Sequence, residues 1–119
     1  MNDTAELAKA LVKATLEFDQ VLADKKISYN QTKFNYANLD SIIQATRKAL
    51  ANNGLVLTTS ASVEGNKVSL RPRLIHASGE WLEYDAFTLK AKSESDKDIG
   101  AAITYARRYT QLSILNVYG

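Results

Sequence analysis

The sequence predicts an α+β domain with the order helix-helix-β-β-β-helix, in which helices pack on a three-stranded antiparallel meander. In residues 3–24 and 39–54, and again after residue 95, apolar residues recur every three or four positions, as in amphipathic helices. Between residues 55 and 90 they recur at every second position, as in strands with one buried face. A chain of 119 residues fits a single domain, residues 1–119, with an N-terminal helix at 3–24 and a core at 30–115.

The composition is typical of a globular domain that depends on neither disulfides nor metal ions. Hydrophobic residues make up 45% and charged residues 24%, with no cysteine and a single histidine, His76. This sequence therefore offers no thiolate nucleophile, iron–sulfur ligand or multi-histidine metal site. The glycine-rich phosphate-binding motifs of ATP-driven and dinucleotide-dependent proteins are also missing, so we expect no cofactor and no catalytic centre.

The N-terminal segment does not resemble a signal peptide. Lys9 and Lys13 interrupt its apolar residues, and no later stretch approaches the roughly 18 apolar residues of a membrane span. We expect a soluble intracellular protein without a membrane partner. The 15 basic residues exceed the 13 acidic ones by two, which is too small an excess to indicate nucleic-acid binding by itself.

A capping box predicts where the first helix begins. The Asp3 side chain is expected to accept an early helical N–H while Glu6 reaches back to the cap. The apolar residues that follow form a heptad stripe made of Leu7, Leu11, Ala14, Phe18 and Val21. This stripe fits packing on the chain's own domain or, alternatively, contact with a neighbouring subunit.

The segment at residues 25–38 has no clear period and is rich in Asn, Gln, Lys and aromatic residues, which favours an ordered loop. Asn38 is then expected to cap a second helix. Asn53 and Gly54 supply the left-handed residues that commonly end a helix.

Two turns divide the alternating region into three strands, at residues 64–66 and 77–79. Pro72 lies in the second strand, and because it has no N–H to donate we expect it at a sheet edge or a bulge. The third strand, at residues 80–90, mixes apolar and acidic residues on one face. We therefore expect a bulge there, or a neighbouring subunit that covers part of it.

The third helix is expected after a solvated loop at residues 91–98, with Asp96 or Asp98 as its cap. One side of this helix is apolar and consists of Ile99, Ala102, Ile103 and Ala106. Thr104, Arg107, Arg108 and Gln111 point elsewhere.

The second strand carries cations on one face, and these predict a surface for nucleic acid. Lys67, Arg71 and Arg73 alternate with apolar residues, and a hairpin loop at residues 78–79 would place Tyr84 opposite Arg73. Such a basic, aromatic face is able to follow a phosphate backbone and stack a base. The alternative is an ordinary solvated sheet face whose arginine stems cover apolar surface.

Three carboxylates close to His76 in sequence raise the possibility of acid–base or metal chemistry. Glu80, Glu83 and Asp85 have this spacing in any strand that alternates polar and apolar residues, so we favour a structural interpretation.

Four blocks of the sequence closely resemble the ERF (essential recombination function) family of phage single-strand annealing proteins. In order they are YANLDSII at 36–43, LANNGL at 50–55, HASGEW at 76–81 and IGAAITYARRY at 99–109. The resemblance covers roughly residues 30 to 115, and the last block is the most specific. Family members usually carry a longer C-terminal region, which this sequence does not contain.

The resemblance implies a DNA-recombination protein of the bacterial cytoplasm that binds single strands and pairs complementary ones without ATP. It also implies a β-β-β-α core similar to that of eukaryotic strand-annealing mediators, and ring or filament homo-oligomers. A host or phage single-strand-binding protein or exonuclease is a further expected partner.

The same resemblance makes Arg107 and Arg108 the first candidates for contacting DNA, with Thr104 and Tyr105 beside them. Arg107 lies nearer the apolar side of the helix, so we expect it to anchor the helix while Arg108 faces DNA. Gly100 is expected to let this helix approach another backbone closely. The expected binding groove lies between the third helix and the basic strand face.

Three alternatives stay open from the residues alone. One is a passive single-strand-binding module that does not anneal. The second is a small metal-dependent nuclease using the carboxylates at residues 80, 83 and 85. The third is a structural oligomer whose basic face contacts protein. If the groove is wrong, the first loop around Lys33, Phe34 and Tyr36 is the next candidate.

Overall fold

The computed structural model describes residues 3–19, 25–27, 34–36 and 39–117. Within those ranges, no helix combines the length and the apolar character needed to cross a membrane. The fold is α+β, as predicted from the sequence. Its elements in chain order are α1 (Ala5–Thr15), β1 (Lys25–Ile27), β2 (Phe34–Tyr36), α2 (Leu39–Asn52), β3 (Leu55–Glu64), β4 (Lys67–His76), β5 (Trp81–Glu83), β6 (Phe87–Lys90) and α3 (Asp96–Leu115).

Helix α1 is shorter than predicted and lacks the complete capping box. Asp3 Oδ1 does accept the N–H of Ala5, at 3.0 Å, but Glu6 forms an ion pair with Lys9 at 3.4 Å. The helix ends at Thr15 because the N–H groups of Leu16 and Glu17 donate to carbonyls three residues back instead of four. These bonds tighten the last turn and stop the α-helical pattern. The predicted extension to residue 24 is therefore wrong for residues 16–19, and residues 20–24 lie outside the described ranges.

The apolar stripe of α1 packs on its own domain. Leu7 and Ala14 are buried in one cluster with Leu55 and Leu74 of the sheet. Leu11 and Phe18 pack against the same cluster, although Phe18 lies beyond the end of the helix. This confirms the first of the two interpretations of the stripe, since the described part of it is already covered. Val21 is outside the described residues.

Two short antiparallel strands replace part of the loop predicted at residues 25–38. Strands β1 and β2 pair with Lys25 opposite Tyr36 and Ile27 opposite Phe34. These β-branched and aromatic residues favour strands, and that preference outweighs the turn-forming residues around them. Helix α2 follows and ends as predicted, with Gly54 at a φ of +72°. Its expected cap, Asn38, lies outside the described residues.

Strand β4 is the centre of the main sheet. It pairs with β3 on one side and with both β5 and β6 on the other. Residues 71 and 72 of β4 face three residues, 84 to 86, so the predicted third strand is divided by the bulge that the sequence indicated. The carbonyl of Pro72 accepts the N–H of Tyr84 at 3.0 Å, so the backbone of Pro72 faces this bulge. Pro72 therefore lies at a bulge, where its lack of an N–H breaks no ladder hydrogen bond, as predicted.

All three helices cover the same face of this sheet. Leu74 joins α1, α2 and α3 in the core, and Val68 packs with Ala102 of α3. Because side chains alternate along a strand, the residues between them, Arg71 and Arg73, point to the opposite face. No described helix packs on that opposite face.

Helix α3 begins at a serine cap that was not predicted. Ser95 Oγ accepts the N–H of Asp98 at 3.2 Å, so the predicted cap at Asp96 or Asp98 is wrong. Both aspartates instead lie in the first turn, where their charge is favoured by the helix dipole. The apolar side is confirmed, with Ala102 and Ala106 buried.

Candidate nucleic-acid interface

The structure separates the cations that the sequence placed in one groove. Lys67, Arg71 and Arg73 lie on the open face of the sheet, whereas α3, with Arg107 and Arg108, packs on the other face. The predicted single groove is therefore wrong. The reason is the alternation along β4, which turns its apolar residues toward α3 and its cations away.

The sheet face holds a compact cluster around Glu83. Arg73 Nη2 lies 2.9 Å from Glu83 Oε1, and Arg71 Nη1 lies 3.8 Å from Glu83 Oε2. The Arg73 guanidinium is also 4.4 Å from the centroid of the Trp81 ring. One carboxylate thus offsets part of the charge of two arginines, and Trp81 supplies an aromatic ring that the sequence analysis had not assigned to the site.

Tyr84 is not on this face. Glu83, and not Tyr84, lies opposite Arg73. The hairpin loop has three residues, with Gly79 at a φ of +96°, and this extra residue shifts the register by one. Such a shift turns a side chain to the other face, where Tyr84 packs against the core. Its burial raises the pKa of Tyr84 above the ordinary value of 10.0.

Lys67 stands at the far end of the same face, away from this cluster. It pairs with Glu64 of β3 and with Lys90 of β6 in the sheet register, and it is exposed. Lys67 therefore extends the basic face but does not join the two arginines in their contacts with Glu83.

The outer side of α3 carries exposed aromatic rings around a guanidinium. Tyr105 and Tyr109 are 52% and 45% exposed, and their rings stack at 5.7 Å with an angle of 26°. The guanidinium of Arg108 is 5.0 Å and 4.9 Å from the two ring centroids. Phe87 of β6 lies 6.5 Å from Tyr109. We call Tyr105, Arg108, Tyr109 and Phe87 the α3 surface.

Helical spacing explains how the α3 surface forms. Residues four apart are neighbours on one side of a helix, and residues three apart are nearly so, which brings Arg108 and Tyr109 next to Tyr105. Arg108 Nη2 also donates to the hydroxyl of Tyr109 at 3.2 Å. Thr104 is exposed beside them, but its hydroxyl donates to the carbonyl of Gly100. A Cβ added at Gly100 would meet nothing within 4 Å, so the predicted close approach of another backbone is wrong for the described chain.

Arg107 points away from Arg108 and toward a cavity of about 420 Å³ between α2, β3 and α3. Its Nε is buried and has no hydrogen-bond partner among the described residues. An unpaired buried donor of this kind costs roughly 1–3 kcal/mol, and more when it is charged. Arg47 of α2 lines the same cavity and was missed by the sequence analysis. The only available signal was its position four residues after Ile43, which also lines the cavity.

Three of the four residues considered for catalysis have structural contacts, and the fourth, Asp85, is exposed. His76 Nδ1 lies 2.9 Å from Ser78 Oγ within the hairpin loop. Glu80 Oε1 accepts the N–H of Leu7 at 2.8 Å and so ties α1 to the sheet, while Glu83 holds the two arginines of the sheet face. In the parts of the chain described here, no three His, Cys, Asp or Glu side chains are grouped so that they could hold a metal ion.

Comparison with protein families matches residues 8–119 to the model of the ERF superfamily. This match covers nearly the whole chain, including both the α3 surface and the open sheet face. The comparisons with curated proteins and with solved structures found no match.

Proposed function

Because this chain belongs to the ERF superfamily, whose members act in phage recombination and single-strand annealing, we propose that it binds single-stranded DNA and pairs complementary strands without ATP. The observation that carries the proposal is the α3 surface. Tyr105, Tyr109 and Phe87 form one contiguous patch of exposed aromatic rings beside a guanidinium, and contiguous exposed apolar patches mark interaction sites. Single strands offer both a π-face and a phosphate to such a surface.

The α3 surface supports annealing as well as binding. Stacking on Tyr105 and Tyr109 uses the faces of the bases, and Arg108 attracts the phosphates, so the hydrogen-bonding edges stay free. A complementary strand then samples those edges, and base pairing supplies the free energy. Thr104 borders this path as a secondary contact.

The open sheet face is a second contact region in the proposal. Lys67, Arg71 and Arg73 attract phosphates there, and Trp81 offers a ring for one base. Glu83 weakens this region because it offsets part of the arginine charge. We therefore assign the larger share of binding to the α3 surface.

Passive protection of single strands is the competing function. An annealing assay separates the two, with complementary oligonucleotides that carry a fluorophore and a quencher and no nucleoside triphosphate. The proposal predicts that the protein speeds the loss of fluorescence. A protein that binds each strand and leaves the rate unchanged or slower is a passive binder, and the annealing part of the proposal is then wrong.

We also propose that the protein self-associates through the outer edge of β3. Among the described strands β3 pairs only with β4, and its ten residues contain no proline, glycine or lysine to protect that edge. One protomer has few clustered cations, so a row of copies would hold a long strand better.

The backbone register gives a specific test of self-association. Pro72 is opposite Thr59 and its carbonyl bonds toward β5, so the N–H and C=O of Thr59, and of Ala61 two residues on, point outward from β3. Ala61→Pro should lower the mass seen by light scattering and leave the fold intact. Ser60→Pro is the contrast, since it removes an N–H of the β3–β4 ladder and should destabilise the fold. A parent protein that scatters only as a 13.1 kDa species, with and without single-stranded DNA, would refute self-association.

A further inference from the structure

The cavity between α2, β3 and α3 has the charge expected of an anion site. Arg47 and Arg107 both line it, and none of its described lining residues is acidic. Arg107 Nε is buried and has no acceptor among the described residues. A guanidinium donor in this position is satisfied by a phosphate or a carboxylate.

The remainder of the wall is suited to something larger and less polar than an ion. It is mostly apolar, being lined by Ile43, Leu50, Ala51, Leu55 and Leu57. Gln111 is only 7% exposed and adds an amide group, while the hydroxyl of Thr46 already donates to the carbonyl of Ile42. A volume of about 420 Å³ falls in the range of sites for small organic molecules, about 300–1,000 Å³.

We propose that this cavity binds one nucleotide unit of the single strand in each protomer. Arg47 and Arg107 bind its phosphate, and one face of the base lies against the apolar wall, which leaves the hydrogen-bonding edge of the base free. A nucleotide combines an anion with a flat, largely apolar ring, whereas a lone carboxylate or phosphate would leave most of the wall uncovered. The inference rests on the proposed function and adds a site distinct from the α3 surface.

The phosphate contact is tested with Arg47→Gln and a matched control, Lys48→Gln. Both residues are exposed on α2 and both changes remove one positive charge, but only Arg47 lines the cavity. Binding of a labelled thymidine oligonucleotide is measured by fluorescence anisotropy at several salt concentrations. Arg47→Gln should weaken binding about tenfold and lower the slope of log K against log salt by about 0.7, and Lys48→Gln should do neither.

The base contact is tested with Ile43→Asn, for which Ile43→Val is the conservative control. Each variant is titrated with the thymidine oligonucleotide and with an abasic oligonucleotide of equal length, which has the same number of phosphates. Ile43→Asn should reduce the preference for the strand that has bases without changing the salt slope. Ile43→Val should keep the preference of the parent, and thermal melting of both variants checks that they are folded.

The outcomes separate this inference from the proposed function. A parent protein that binds no single strand contradicts the proposed function itself. If the parent binds but Arg47→Gln and Lys48→Gln behave alike, only the cavity site is refuted. If Arg47→Gln weakens binding while Ile43→Asn leaves the base preference intact, the cavity holds a phosphate alone and the nucleotide site is refuted. A loss of assembly mass in Arg47→Gln in the absence of DNA would indicate that a second copy occupies the cavity and would also overturn the proposal.

Discussion

Replacing Tyr105 by alanine should separate DNA binding from folding. Tyr105 is half exposed, and its ring contacts are the stack with Tyr109 and the guanidinium of Arg108. An exposed aromatic pair and an exposed cation–π contact contribute about 0.5–1 kcal/mol each, so the free energy of unfolding should fall by roughly 1–2 kcal/mol. A domain of ordinary stability, about 5–15 kcal/mol, stays folded after such a loss.

The expected effect of Tyr105→Ala on DNA binding is larger. Loss of one stacked base costs about 1–3 kcal/mol, which weakens binding about fivefold to 140-fold. Anisotropy titrations with a labelled thymidine oligonucleotide measure this change, and urea unfolding of the same samples measures the stability. The salt slope should stay that of the parent, because no cation is removed.

Tyr105→Phe is the matched control, since it keeps the ring and removes only the hydroxyl. It should bind within about twofold of the parent, because stacking depends on the ring face. Parent-like binding by Tyr105→Ala would refute the α3 surface as a stacking platform. A Tyr105→Phe variant as weak as Tyr105→Ala would show that the hydroxyl matters and would refute the stacking argument.

Three further changes test other parts of the account. Glu83→Gln removes the ion pairs of Arg71 and Arg73, which should lower the free energy of unfolding by about 0–1 kcal/mol. It should also tighten single-strand binding and steepen the salt slope of that binding, and unchanged binding by anisotropy would exclude the sheet face as a contact region. Gly54→Ala should lower the free energy of unfolding by about 1–2 kcal/mol, because the φ of Gly54 is +72°. Gly100→Ala should raise it by about 0.5–1 kcal/mol, because Gly100 lies within a helix and faces open space. Urea unfolding of both variants measures the contrast. Because the pKa of Tyr84 is raised in the folded state, its contribution to the free energy of unfolding is fully present below pH 10 and is lost as the pH rises through the folded-state pKa. Urea unfolding above pH 10 should therefore show a smaller loss of stability for Tyr84→Phe than for the parent.

Periodicity was sufficient to predict the fold class and most of the core. The alternation along β4 correctly separated Val68, Leu70 and Leu74 from the cations between them. The hairpin turn, however, has two plausible lengths, and the shorter one places Tyr84 on the wrong face. The alternating pattern shows which residues of a strand share a face, but it does not show which residue of the next strand lies opposite each of them across a turn.

The candidate site was predicted less completely because its parts meet only through tertiary packing. Arg107 and Arg108 are adjacent in sequence, yet one enters a cavity and the other stacks on two tyrosines. Their different positions on the helical wheel predicted that the two side chains would diverge, but Arg107 was expected to anchor the helix and its Nε instead has no hydrogen-bond partner among the described residues. The sequence places Arg47 on the same side of α2 as Ile43, but it does not indicate that this side meets Arg107 at one cavity, since that depends on how two helices pack against β3.

The rate of strand annealing tests the central claim most directly, namely that the α3 surface holds single strands with their bases free to pair. Complementary oligonucleotides are each saturated with parent protein or with Tyr105→Ala, and are then mixed without ATP while a fluorophore–quencher pair reports duplex formation. The account predicts that the parent anneals the strands faster than they anneal without protein, and that Tyr105→Ala falls back toward the protein-free rate. Equal acceleration by both proteins, or no acceleration by the parent while anisotropy shows the strands bound, would contradict it.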